Sequence, residues 1–137
     1  MLKAEKLPQC DSSGSCNSFV SVRASGFVQA TRVNENNVNP IYNARLCFPV
    51  YTPMYNDKIV IRVWSQGRRS ADLFIANVPE YPSQFDHFNV SKLMISEGKM
   101  RATWINLYGI HPDDRAQATK GGSKQGSSFL GRILISM

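Results

Sequence analysis

His87 and His111 are the chain's two histidines, and neither stands in a His-x-x-x-His or Cys–His spacing that would hold a metal ion. His111-Pro112-Asp113-Asp114 could in principle supply ligands. It opens the Gly/Ser/Lys-rich stretch 111–128, however, where Asp and Pro do the work of a solvated turn. The three cysteines, Cys10, Cys16 and Cys47, are odd in number and lack a CxxC spacing, which argues against both a disulfide framework and a zinc site. No G-x-S-x-G elbow is present, and Gly121, Gly122 and Gly126 lie in a polar link rather than between a strand and a helix, so no phosphate-cradling loop exists. These absences predict a protein that is not an enzyme and that takes no small-molecule substrate. Trp64, Trp104 and the seven Phe could form a stacking platform for bases, yet most fall on alternating strand positions and no RNP-like pattern accompanies them. Nucleic acid is therefore not an expected partner.

One stretch combines charge with a defined setting. Residues 63–76, VWSQGRRSADLFIA, run from one apolar alternating segment through a polar loop into another, and the loop carries Arg68, Arg69 and Asp72. The formal net charge of +6 gives a mild attraction to anionic surfaces, but the basic residues are spread, with no run longer than this arginine pair. Charge alone chooses no partner.

The elements that would position such a loop are strands. In KIVIRVW (58–64), Ile59, Ile61 and Val63 share one face while Val60, Arg62 and Trp64 share the other. YNARLCF (42–48) alternates in the same way, with Tyr42, Ala44, Leu46 and Phe48 on one face. LKAEK (2–6), FVSVR (19–23), GFVQATRV (26–33), DLFIANV (72–78), RATWINLY (101–108) and FLGRILIS (129–136) complete a set of eight short strands. Residues 83–97 have room for one or two helical turns. Ser25-Gly26 and the link NENNVNP (34–40) supply turn chemistry between strands. Many short strands with such turns indicate an all-β antiparallel sandwich, and 137 residues suffice for one domain with a real core. The N-terminus is no signal peptide, and no apolar run approaches membrane-spanning length. Alternation begins almost at once, which points to Met1 as the edge of a fragment. Cysteine usage suits a reducing, intracellular setting, where the Asn89-Val90-Ser91 triplet would stay bare.

The order of these pieces resembles a C2 domain, an eight-stranded β-sandwich, over essentially the whole chain. LPQCDSSGSCNSFVSV (7–22) looks like the family's first loop, and VNPIYNARLCFPV (38–50) is similar to its Asn-Pro-x-Trp-Asn motif, with Tyr42 in place of Trp. DKIVIRVWSQGRRSADLFIA (57–76) looks like the strand, third loop and strand that carry the family's acidic cup, and FLGRILISM (129–137) resembles its closing strand. WINLYG (104–109), a polar insertion, then FLGRILIS is similar to the end of an interior C2 domain of ferlins, which are multi-C2, membrane-anchored proteins of vesicle fusion and membrane repair.

That resemblance implies five acidic positions for Ca²⁺, two in the first loop and three in the third. Here they fall on Asp11, Asn17, Ser65, Gly67 and Leu73, so one carboxylate of five is retained. A hard cation that wants six to eight oxygen ligands is poorly served by this set, and two arginines in the same loop would repel it. Asp72, adjacent to Leu73, is expected to point to the opposite face. The expectation is a degenerate site with Ca²⁺ absent or weakly held, and no other cofactor. The family's loops face membrane, so Arg68 and Arg69, with Lys124 or Lys120 from the polar link, could approach anionic phospholipid without the metal; they could equally form a solvated loop face. A second lipid site, which the family places on its concave face, would here have Arg32, Arg45 and Arg62 with Gln29 among them, a sparse cluster. The implied role is a module on the cytoplasmic side of membranes, within a membrane-anchored parent engaged in trafficking, fusion or exocytosis. Packing against neighbouring domains or a protein partner, without lipid affinity, is the alternative.

Overall fold

The computed structural model describes residues 2–10, 14, 16–53, 58–67, 72–77, 101–109 and 128–136. Seven strands lie among them: β1 (Leu2–Glu5), β2 (Ser18–Ala24), β3 (Phe27–Ala30), β4 (Val60–Ser65), β5 (Leu73–Asn77), β6 (Thr103–Gly109) and β7 (Ser128–Ile135). All pairings are antiparallel, in the order β1-β7-β6-β5-β4-β2-β3. Alternation decides which side chains go inward. Val20, Val22, Ile61 and Val63 are buried on β2 and β4, while the intervening Arg23 and Arg62 are exposed.

Among the described residues, β5 and β6 join at the pair Asn77 with Tyr108. On one side of this joint lie β3-β2-β4-β5, and on the other β6-β7-β1. Their apolar faces join in one cluster, with Val20, Ile61, Val63 and Ile75 from the first group and Leu2, Ala4, Ile105, Leu107 and Ile133 from the second. A sheet with one apolar face needs a second layer against it, and these two groups serve each other as a sandwich.

Two bulges adjust the pattern. Between β4 and β5 the register shifts, because Trp64 pairs with Phe74 but Val63 pairs with Ala76. The extra residue lets both Ile75 and Ala76 enter the core, which strict alternation forbids. Between β6 and β7, Asn106 pairs with Arg132 but Tyr108 with Phe129. Gly131 absorbs that shift with φ +115, and a Cβ there would stand 2.6 Å from the Glu5 carbonyl oxygen.

The segment expected as a strand over 42–48 differs from its expectation in an informative way. It forms no ladder; Ile41 makes an isolated bridge to Lys3, and Asn43 turns with φ 45. Its side chains nevertheless alternate, with Tyr42, Leu46 and Phe48 packed against the core and Asn43, Arg45 and Cys47 exposed. In place of a backbone ladder, the Gln29 amide grips it: Gln29 Nε2 donates to the Cys47 carbonyl, and Gln29 Oε1 accepts from the Cys47 N–H. The apolar period survives because burial sets it, while pairing requires an unbroken extended backbone. The possible helical turns at 83–97 and the sequon at 89–91 lie outside the described residues.

On the outer face of β1, β7 and β6, ionic and aromatic groups staple three strands. Arg132 donates to Glu5 Oε2 from both Nε (3.1 Å) and Nη2 (2.8 Å), and Lys3 Nζ lies 2.8 Å from Glu5 Oε1. Both cations also sit over the Trp104 ring, Arg132 at 4.5 Å and Lys3 at 5.7 Å from its centroid. Hydrogen bonds from Lys3 and then Arg132 hold the Glu5 carboxyl below its ordinary range.

Candidate functional site

The loop end of the sandwich is assembled by strand register. Ser18 opens β2 and pairs with Ser65, the last residue of β4, which pairs in turn with Leu73, the first of β5. The first loop (to Asn17) and the third loop (from Gln66) are thereby brought side by side. A backbone hydrogen bond joins them, from the Gln66 N–H to the Asn17 carbonyl at 2.8 Å. The turn at 34–37 completes this end, with paired bonds between Ser18 and Asn34 and a bond from the Asn37 N–H to the Cys16 carbonyl.

Of the five positions expected to correspond to calcium ligands, Asn17, Ser65, Gly67 and Leu73 are described and Asp11 is not. Asn17 is 8% exposed, and its side-chain Oδ1 accepts the Asn36 N–H at 2.9 Å. Ser65 is 7% exposed on the inward face of β4. Gly67 offers no side chain, and its N–H donates to Asp72 Oδ1 at 3.2 Å. That last contact departs from expectation. Strand alternation would turn Asp72 away, but β5 begins only at Leu73 and Asp72 belongs to the loop, which it crosses. The side-chain oxygens of Asn17 and Asp72 are thus engaged within the protein, and Ser65 is buried.

Around Ser18 and Cys16 lies a small polar layer. The Tyr42 hydroxyl meets Ser18 Oγ at 2.7 Å, and burial pushes the phenol well above its ordinary value of 10. Cys16, fully buried, points its thiol at Cys10 Sγ, 3.0 Å away, and Cys10 donates to the Pro8 carbonyl at 3.2 Å. Sequence reasoning dismissed the cysteines by count and spacing. They meet only in the folded chain.

The candidate basic residues divide. Arg68, Arg69 and Lys124 lie outside the described residues. Arg62 is exposed on the outer face of β4, cross-strand from Ser21, while Arg32 and Arg45 are exposed on the segments after β3 and along 42–48. Gln29, expected among them, is engaged with Cys47 instead. Arg23 was missed: it is exposed on the same face as Arg62, one diagonal away across β2 and β4. Its position in FVSVR, two beyond Ser21 and four beyond Phe19, was the available signal. Beside them Phe19 stacks on Trp64, with ring centroids 6.5 Å apart, and Trp64 Nε1 donates to Ser21 Oγ at 2.8 Å. The opposite end exposes Phe27, Val28, Val50 and Tyr51, with the Phe27 and Tyr51 rings 6.3 Å apart.

Comparison with known proteins agrees with this architecture. The C2 domain family model matches residues 1–106, and the chain belongs to that family. It is 38% identical to Ferlin 2 of Tetrahymena thermophila over the whole chain, and 31% identical to Ferlin 2 of Toxoplasma gondii over 97% of it. The chain spans only 8% and 9% of the lengths of these relatives. Among solved structures it is similar to a calcium-bound pair of C2 domains, A and B, of extended-synaptotagmin 2 (TM-score 0.61, 15% identity, covering 98% of this chain and 42% of that one). A second structure of the same two domains gives a TM-score of 0.52 at 13% identity, with 98% and 39% covered. At such identity the likeness is one of fold.

Proposed function

We propose that this chain is a single, non-catalytic C2 module of a ferlin-like, membrane-anchored protein of vesicle trafficking and fusion, and that it docks weakly on anionic phospholipid without calcium. The observation that carries the reading is the fate of the acidic positions. Asn17 uses its side-chain oxygen on Asn36, Ser65 is turned into the core, and Asp72 is tied to Gly67. A cation would have to break these contacts to recruit oxygen ligands, with Arg68 and Arg69 opposing it from the same loop. The same arginines, with Lys124 from the polar link, offer charge to lipid phosphates directly. Each basic residue near an anionic membrane contributes about 1 kcal/mol, so a few give weak, salt-sensitive attachment. The cytoplasmic leaflet, where anionic lipid concentrates, is the surface such a module would meet.

Co-sedimentation with phosphatidylserine vesicles, with and without Ca²⁺ and at two salt concentrations, tests this. The expected result is binding that falls with salt, ignores Ca²⁺, and drops roughly 10–30-fold in Arg68→Ala/Arg69→Ala. Tight calorimetric binding of micromolar Ca²⁺ would overturn the metal-independent part. A second reading, docking against a neighbouring domain or protein partner, draws on the exposed Phe27, Val28, Val50 and Tyr51 at the far end. No vesicle binding under any condition would favour it.

A further inference from the structure

We propose that Cys10 and Cys16 form a redox modification site, a dithiol that a disulfide oxidant of the glutathione class converts reversibly to an intramolecular disulfide across the base of the first loop. The two sulfurs stand 3.0 Å apart, with the Cys16 thiol donating to Cys10 Sγ, so closing them to the bond length of about 2.05 Å asks for a shift of about 1 Å. Their exposures suit two distinct roles. Cys10 is only partly buried and can meet an external oxidant, whereas Cys16 is fully buried and held beneath it.

The chemistry balances in two displacements. Cys10, having lost its proton to solvent, attacks one sulfur of the oxidant RSSR; the S–S bond breaks, RS⁻ leaves, and a Cys10–S–S–R mixed disulfide forms. Cys16, deprotonated in turn, attacks the Cys10 sulfur and expels the second RS⁻. The two released protons end on the two RS⁻ groups, and two electrons pass from the cysteine pair to the oxidant, which becomes two RSH. The product ring includes Asp11 by sequence. It is anchored where the Cys16 carbonyl accepts the Asn37 N–H and the neighbouring Asn17 carbonyl accepts the Gln66 N–H of the third loop. Oxidation therefore ties both candidate loops to one covalent staple. The proposal does not depend on membrane binding.

The test uses the chain with Cys47→Ala, which removes the exposed third thiol and its intermolecular disulfides. After equilibration in glutathione buffers of increasing oxidising strength, the thiol count should fall from two to none in a single step. Peptide mapping should join positions 10 and 16, and dithiothreitol should restore both thiols. The thermal midpoint of the oxidised chain should rise by several degrees, a rise absent when Cys10→Ala is added. Two thiols persisting in oxidising buffer, while the urea-unfolded chain oxidises normally, would overturn the proposal. So would accumulation of a Cys10–glutathione adduct that Cys16 never resolves. Because Cys10 is the partly exposed member, Cys10→Ala keeps the comparison available even if substitution of buried Cys16 prevents folding.

Discussion

Tyr42 carries more of the loop end than its neighbours do. Its ring packs against the core, and its hydroxyl is the partner of Ser18 Oγ, itself fully buried. Tyr42→Phe would leave Ser18 without that partner and should cost about 1 kcal/mol in urea unfolding, the usual net worth of such a bond. The pH dependence has a definite sign. Burial favours the neutral phenol, so the folded-state pKa lies above the unfolded value of 10. Its contribution is fully present below pH 10 and is lost as pH rises beyond it, because the unfolded chain ionises first. Unfolding free energy measured above pH 10 should therefore fall less steeply in Tyr42→Phe than in the parent chain.

At the scale of elements, period-two patterning carries far but stops where backbone conformation intervenes. β4 matches its expected faces, with Ile61 and Val63 in and Arg62 out. Segment 42–48 keeps the same alternation without a ladder; the Tyr42 and Asn43 N–H groups donate to the Leu2 carbonyl at its start, and the Gln29 amide holds it at Cys47. Gln29→Ala removes both bonds to Cys47 and should release this segment from β3 without unfolding the domain. Hydrogen exchange at the Cys47 amide should accelerate severalfold, while that of Val63, in the centre of the paired strands, stays unchanged. Equal acceleration at both would show that Gln29 supports the whole fold. The glycine in FLGRILIS was a legible hint of a bulge, since Gly inside a strand pattern often marks one. The bulge at Ile75 had no such marker.

For the molecule as a whole, the two strand groups contribute to one apolar cluster, and that shared core binds them into one cooperative unit. Leu107, fully buried on β6, belongs to that core. Leu107→Ala should lower stability by about 2–5 kcal/mol with a single urea transition of unchanged slope. Two separated transitions would mean that the layers unfold independently. The proposed attachment to membrane also belongs to this scale. A net charge of +6 dispersed over two loops, a sheet face and a polar link favours weak, salt-sensitive contact over a single tight pocket.

Sequence by itself determined the all-β class, seven of the strands to within a few residues, and the inward face of β4. These follow from local quantities: side-chain type, period and turn chemistry. Tertiary structure alone decided the rest. It set Cys10 against Cys16, swung Asp72 back to Gly67, aligned Arg23 with Arg62, and replaced a ladder by Gln29. Each is a meeting of groups whose separation depends on where the chain turns and which register its strands adopt, and neither is written in the spacing of the residues themselves.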